Sequence, residues 1–211
     1  MPYDNRPSTA HPQHMGQPMI VGEHHPKSFE ELLDCVCSDL FGGNIWHGMV
    51  AAQMYKIGLR GFGRMHQYQA HHDFEKLYGA KNGTGGLLKI LVDRLGYTPS
   101  IDTSEAVNTV RVSITGPADL KDHLHNWCES EKEFAKILTM AVRQAAGVDM
   151  CIYNELACIL TCVQEEIMRL KLLKKRLEIG GMNGHDLMRI SKDLHEHYEN
   201  HAAMGMDVNL G

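Results

Sequence analysis

The sequence predicts an all-α protein, an antiparallel four-helix bundle with one long crossover and a short fifth helix near its C-terminal end. Four long segments carry apolar residues at the three- and four-residue spacing of one helix face. Short glycine-containing turns separate the first segment from the second and the third from the fourth, so each pair is expected to be antiparallel. The 21-residue connector between the second and third segments can cross a whole bundle, because extended chain of this length spans about 69 Å.

Composition excludes several classes of protein. The chain has 211 residues and 43% apolar residues, enough for one domain with a buried core. Its net charge of -5 and the lack of a concentrated basic face argue against a nucleic-acid partner. No apolar run approaches the roughly 18 residues that span a bilayer, and the polar N-terminal segment does not resemble an export signal. We therefore expect no membrane association and a cytoplasmic location.

The chain divides into three predicted parts. Residues 1–27 form a flexible tail rich in histidine and proline, residues 28–181 form the bundle, and residues 182–211 hold the short last helix and a tail. Ser28 begins the first helix, because Glu31 three residues later completes a capping box. The apolar pattern of this helix continues to Ile57.

The second helix is predicted from Phe62 to Ala80, where a glycine-dense insert at 81–86 interrupts it, and the helical pattern resumes over 87–95. Residues 109–115 of the connector alternate like a strand, but one strand cannot form a sheet, so we expect extended chain there. The third helix is predicted over 118–146 and the fourth, capped by Asp149, ends at 179. The last helix is predicted over 185–198.

Each apolar stripe contains one carboxylate. The four are Asp39 in the first helix, Asp73 in the second, Glu131 in the third and Glu166 in the fourth. A lone acid of this kind can pair with lysine or arginine at the edge of a bundle. An unpaired buried carboxylate is costly, however, and four that converge near imidazoles suit a pair of metal ions.

The register of the helices indicates which acids face each other. Glu131 lies 16 residues before Gly147 and Glu166 lies 19 after it, so the two are expected at similar height on neighbouring helices. This half of the site is predicted by register alone.

The other half has two solutions. Asp39, reflected about the turn near Leu59, falls close to Ala80 and not on Asp73, whereas His47 falls on residues 71 and 72. The ligands on this half are therefore either Asp39 with Asp73, or His47 with His72 and Asp73. Both sets remain open at this point.

Several segments resemble the ferritin superfamily, bacterioferritins first and Dps-type mini-ferritins next. Residues 39–44 and 55–59 are similar to the first-helix signature of that superfamily, in which an acid binds metal. Residues 59–77 look like the start of its second helix and residues 95–99 like the end of that helix. Residues 147–166 resemble the junction between its third and fourth helices.

The resemblance implies a ferritin-like bundle that binds iron or manganese and oxidises Fe(II) with dioxygen or peroxide for iron storage or detoxification. It also implies a symmetric homo-oligomer or shell. No haem is expected, because Phe74 stands where a haem-bridging methionine would be. The implied metal ligands are Asp39, His47, His72, Asp73, Glu131 and Glu166.

Two departures from the superfamily support a second hypothesis, a metal-free bundle that acts as a structural or protein-interaction module. The Glu-x-x-His pairs of the second and fourth helices are not intact, since the corresponding stretches are Asp73-Phe-Glu75-Lys76 and Val163-Gln-Glu165-Glu166. The glycine insert has no counterpart either. DNA protection as in Dps-type proteins would need a basic tail, which residues 1–27 do not supply.

Overall fold

A computed structural model describes residues 28–79, 85–102, 114–115, 117–180 and 184–203, with backbone alone at 117–118 and 201–203. The described residues form six helices and no strand, which confirms the predicted all-α class. The predicted tail at 1–27 and most of the alternating segment lie outside the described residues. The helices are α1 (Phe29–Lys56), α2 (Arg60–Tyr78), α3 (Leu87–Leu95), α4 (Pro117–Ala145), α5 (Met150–Ile179) and α6 (Gly184–Ala203).

Side chains cap two of the long helices, as predicted. At the start of α1 the Ser28 amide donates to Glu31 Oε2 at 2.8 Å, and the Glu31 amide donates to Ser28 Oγ at 3.1 Å. At the start of α5 the Asp149 carboxylate accepts from the amides of residues 151 and 152 at 2.8 and 3.1 Å. These bonds satisfy amides that have no partner inside their own helix.

Glycines interrupt the second helix of the bundle. Gly79 ends α2 with a φ of 96°, and an isolated antiparallel bridge pairs it with Gly85. A Cβ on Gly86 would lie 2.3 Å from the Gly79 nitrogen, so only glycine permits this close approach. The second helix of the bundle thus consists of α2 followed by α3, with the insert between them.

The two described ends of the connector lie near opposite ends of α1. Tyr97, just after α3, donates its hydroxyl to Asp34 Oδ1 near the start of α1 at 2.6 Å. Ile114, just before α4, donates its amide to Gln53 Oε1 near the end of α1 at 3.3 Å. Helices α2 and α4 therefore run in the same direction, while α1 with α2 and α4 with α5 are antiparallel neighbours, as the link lengths predicted.

Apolar side chains from all six helices form one core, and all six cysteines are free thiols. None of the described helices is long and apolar enough to cross a membrane. The buried polar residues include a group on α1, α2, α4 and α5: His47, His66, Gln69, Asp73, His123 and Glu166.

The last helix, α6, is longer than the predicted 185–198 and packs against α2. The two helices approach closely at Gly61, whose amide donates to Ser191 Oγ at 3.0 Å. A Cβ on Gly61 would lie 1.7 Å from the Ser191 carbonyl oxygen, so no larger residue fits this contact.

We therefore expect Gly61→Ala to lower the free energy of unfolding by about 1–3 kcal/mol, because α6 must shift away from α2. Gly48→Ala is the matched control. Gly48 lies inside α1 with open space around it, so the same substitution is expected to stabilise the protein by about 0.5–1 kcal/mol. Urea unfolding of both variants measures the difference, and equal effects at the two positions would contradict the close packing of α6.

Candidate metal centre

Side chains from three helices converge at the centre of the bundle. His47 of α1, Glu131 of α4 and Glu166 of α5 each offer one ligand atom, and these atoms all lie within 4.8 Å of one another. Bonds of 2.0–2.2 Å place the ligand atoms of a single ion up to about 4.3 Å apart. Shifts of a few tenths of an ångström would therefore let the three bind one ion.

Asp73 of α2 borders this group. Its Oδ2 lies 3.9 Å from His47 Nε2, and its Oδ1 accepts from Gln69 Nε2 at 3.4 Å and from Lys76 Nζ at 3.2 Å. A Cβ on Gly43 of α1 would lie 2.8 Å from Asp73 Oδ2. Gly43 therefore leaves the space that this carboxylate occupies.

The three carboxylates are held in a site that disfavours their charged forms. Burial, with the charge of Asp73 added, raises the pKa of Glu131 to about 7. Burial and the neighbouring Glu131 and Asp73 raise the pKa of Glu166 well above its ordinary value. Burial also raises the pKa of Asp73, although Lys76 opposes that rise. A cation placed among them would stabilise the charged carboxylates and so lower these pKa values.

Lys76 is already one such cation. Only 9% of its side chain is exposed. Burial alone would lower the pKa of the Lys76 ammonium, but the carboxylates of Asp73, Glu166 and Glu131 together raise it above its ordinary value. Lys76 therefore stays charged inside the bundle.

Three buried histidines, His47, His66 and His123, form a row. His47 Nδ1 lies 2.8 Å from His66 Nδ1, and His66 Nε2 lies 3.1 Å from His123 Nε2. Burial lowers the pKa of all three, to about 3 for His123, so each imidazole is neutral near pH 7. A neutral imidazole has one donor and one acceptor nitrogen, so each contact is one hydrogen bond.

Two tryptophans enclose this row. The Trp127 ring stacks on His66 at a centroid distance of 4.4 Å, and the Trp46 ring stacks on His123 at 5.2 Å. Trp127 Nε1 also donates to Glu131 Oε1 at 3.0 Å. Trp127 thus orients a carboxylate of the centre and one imidazole of the row together.

The structure places the other two predicted ligands elsewhere. Asp39 lies eight residues before His47 in α1, about 12 Å away along the helix axis. The His72 ring stacks on Tyr68 at 5.5 Å, and burial together with Lys76 lowers its pKa to about 4. Among the described residues, the potential metal-binding group contains His47, Glu131 and Glu166 but neither of these two.

His66, His123 and Lys76 were not among the predicted site residues. His66 lies four residues after Phe62 in the apolar stripe of α2, and that position was the available signal. Lys76 follows Asp73 by three residues, which is the spacing of a Glu-x-x-His pair with lysine in place of histidine. His123 gave no comparable signal.

A cavity of about 410 Å³ lies between α2, α5 and α6 and reaches this centre. Glu166, Gln69 and Trp127 line it together with Arg169 and Tyr198. The cavity therefore provides space for a small ion or molecule beside the Glu166 carboxylate.

Known structures share this fold. An open-pore ferritin from the hyperthermophilic archaeon Archaeoglobus fulgidus is similar with a TM-score of 0.61 and 18% identity, over 80% of this chain and 96% of that one. A second crystal structure of that open-pore ferritin gives 0.63 and 17%, over 80% and 96%. An engineered closed form of the Archaeoglobus fulgidus ferritin gives 0.60 and 18%, over 80% and 95%. No protein-family model and no curated protein matches the sequence. The chain has the ferritin-like four-helix bundle fold.

Proposed function

We propose that this chain binds iron between the four long helices of its ferritin-like bundle and oxidises Fe(II) for iron storage or detoxification. The observation that carries the proposal is the convergence of one imidazole nitrogen and two carboxylate oxygens, from His47, Glu131 and Glu166, within 4.8 Å inside a bundle of this fold. By likeness to ferritins, the chain acts in a homo-oligomer and iron is its substrate.

The donor set supports this choice of ion. Imidazole together with carboxylates suits iron and manganese better than softer metals, which prefer thiolates. The pKa of Glu131 is raised to about 7 and that of Glu166 is raised well above its ordinary value, so binding of a cation releases protons that these groups hold near neutral pH.

The surroundings of the three ligands support it as well. His66 holds His47 by its Nδ1, which leaves His47 Nε2 facing the carboxylates. Trp127 fixes Glu131, and second partners of this kind raise metal affinity in known sites by roughly 10–100-fold. The cavity beside Glu166 gives Fe(II) and dioxygen space next to the centre.

One observation favours the second candidate function, a metal-free bundle that serves as an interaction module. Lys76 already supplies a positive charge to the buried carboxylates, so part of the need for a cation is met without metal. Metal content and binding distinguish the two functions.

The test is anaerobic calorimetric titration with Fe(II), followed by exposure to air and measurement of Fe(III) formation. We expect wild type to bind Fe(II) and to oxidise it faster than buffer does. Glu131→Gln is expected to bind more than about 100-fold more weakly, because it removes a charged ligand. The control Glu133→Gln alters an exposed acid of the same helix, paired with Lys136, and is expected to match wild type. A wild-type protein that binds no metal would leave the interaction module as the better function.

A further inference from the structure

Basic residues occupy both positions at which bundles of this fold carry the histidines of a metal pair. A two-metal centre in such a bundle uses a glutamate from each of two helices and a Glu-x-x-His pair from each of the other two. Here α2 offers Asp73 followed three residues later by Lys76, and α5 offers Glu166 followed three residues later by Arg169. Neither cation can bind a metal ion.

The two basic residues differ in where their charges lie. Lys76 Nζ is 3.2 Å from Asp73 Oδ1, with both side chains only 9% exposed. Arg169 is half exposed and contacts Glu165 at 3.3 Å on the outer surface, and it also bonds Tyr198 beside the cavity. The cation placed among the buried carboxylates is therefore Lys76.

The charges of the centre balance with one divalent ion. Asp73, Glu131 and Glu166 supply three negative charges when ionised, and Lys76 supplies one positive charge. Two negative charges remain, and His47 is neutral. Four carboxylates would instead balance two divalent ions, which is the ligand set of the two-metal centre.

Two residues that border the described part of this centre offer no ligand for a second ion. Gly43 of α1 stands beside Asp73 and has no side chain to offer. His66 uses Nδ1 toward His47 and Nε2 toward His123, so neither of its nitrogens faces the carboxylates.

We infer that the Lys76 ammonium takes the place of the second metal ion, so that this centre holds one divalent cation where related bundles hold two. This inference rests on the proposed metal-binding function. Lys76 is then the residue that sets the stoichiometry of the site.

The experiment is an anaerobic titration of the full chain with Co(II), which is stable to oxidation, read by calorimetry and by elemental analysis after gel filtration. Wild type is expected to retain one equivalent per chain. Lys76→His, which restores an Asp-x-x-His pair in α2, is expected to retain two. The control Lys136→Met changes an exposed lysine of α4 that pairs with Glu133, and is expected to retain one.

Lys76→Met gives a second readout that adds no ligand. Removal of one positive charge a few ångströms from the bound ion is expected to tighten binding of the first Co(II) by about tenfold or more. Thermal unfolding with and without Co(II) verifies that each variant is folded and reports the same change as a larger shift in Tm.

Three results would overturn the inference. Two equivalents of Co(II) in wild type would show that Lys76 does not exclude a second metal ion. One equivalent in a folded Lys76→His, or unchanged affinity in Lys76→Met, would show that Lys76 does not compete with metal. Failure of wild type to bind Co(II) or Fe(II) at all is a different outcome, because it overturns the proposed function and this inference with it.

Discussion

Replacement of Glu166 by methionine is expected to stabilise the metal-free protein and to abolish its binding of metal. Glu166 is 7% exposed, and burial and the neighbouring acids raise its pKa well above the ordinary value. Ionisation of Glu166 therefore lowers the stability of the folded state. An apolar side chain of similar length removes this penalty. Exchange of a buried ion pair for apolar residues is neutral or stabilising by about 1–4 kcal/mol, and here no cation is left unpaired, because Lys76 keeps its bond to Asp73.

Urea unfolding in the presence of a chelator at pH 7.5 measures the gain, and titration with Fe(II) measures the loss. The control is Glu165→Met at the next residue of α5, which is exposed and contacts Arg169. Its effect on the free energy of unfolding is expected to stay within about 0.5 kcal/mol. A destabilised Glu166→Met would mean that the Glu166 carboxylate contributes to the fold through Lys76, and would argue against an anionic site that is kept for a cation.

The metal-free protein is also expected to show two opposite pH effects that conceal each other. The folded-state pKa of Glu131 is raised to about 7, so its contribution to stability is full at low pH and is lost as the pH rises through about 7. The pKa of His123 is lowered to about 3, so its contribution is full above about 6.5 and is lost as the pH falls. Between pH 7 and pH 5 each changes the free energy of unfolding by an amount on the order of 2 kcal/mol, with opposite sign.

Single variants are expected to expose each effect. The ionisable groups around Glu131 are Asp73, Glu166, Lys76 and the neutral His47. Those near His123 are the neutral His66 and His47. Relative to wild type, Glu131→Gln should lose stability on acidification from pH 7 to pH 5, whereas His123→Gln should gain it. Urea unfolding at four pH values between 5 and 8, with chelator, provides the profiles. Parallel profiles for the three proteins would contradict these pKa directions.

The half of the centre built by α4 and α5 was predictable from the sequence. Gly147 marks the turn between these helices, and the distances of Glu131 and Glu166 from it are nearly equal, so helical rise alone places them at one height. The structure brings the two side chains together. Metal binding by them stays a prediction.

The half built by α1 and α2 was less predictable, because height along a helix does not determine the direction of a side chain. Successive residues differ by about 100° around the axis. His72 and Asp73 lie at almost the same height, yet Asp73 faces His47 and His72 faces Tyr68. Helix α2 packs against both α1 and α6. Its contact with α6 at Gly61 joins residues 130 positions apart and has no sequence pattern of its own.

The fold class, the capping box at Ser28 and the crossover were all predictable, because each follows from local periodicity or from link length. The position of Lys76 beside Asp73 was also predictable from the sequence. Its spacing from Asp73 is visible in the sequence, but its burial requires knowledge of which carboxylates the other helices bring near it.

Because the three imidazoles are joined by hydrogen bonds, the ability of His47 to act as a ligand depends on the tautomer of His123, two rings away. If His47 donates from Nδ1, His66 donates from Nε2 to His123, and His47 Nε2 keeps a bare lone pair. If His123 donates instead, both bonds reverse and the proton of His47 moves to Nε2, where it blocks coordination. The row of three rings has two hydrogen-bonding arrangements, and the tautomer of His123 in α4 determines whether His47 Nε2 in α1 carries a free lone pair.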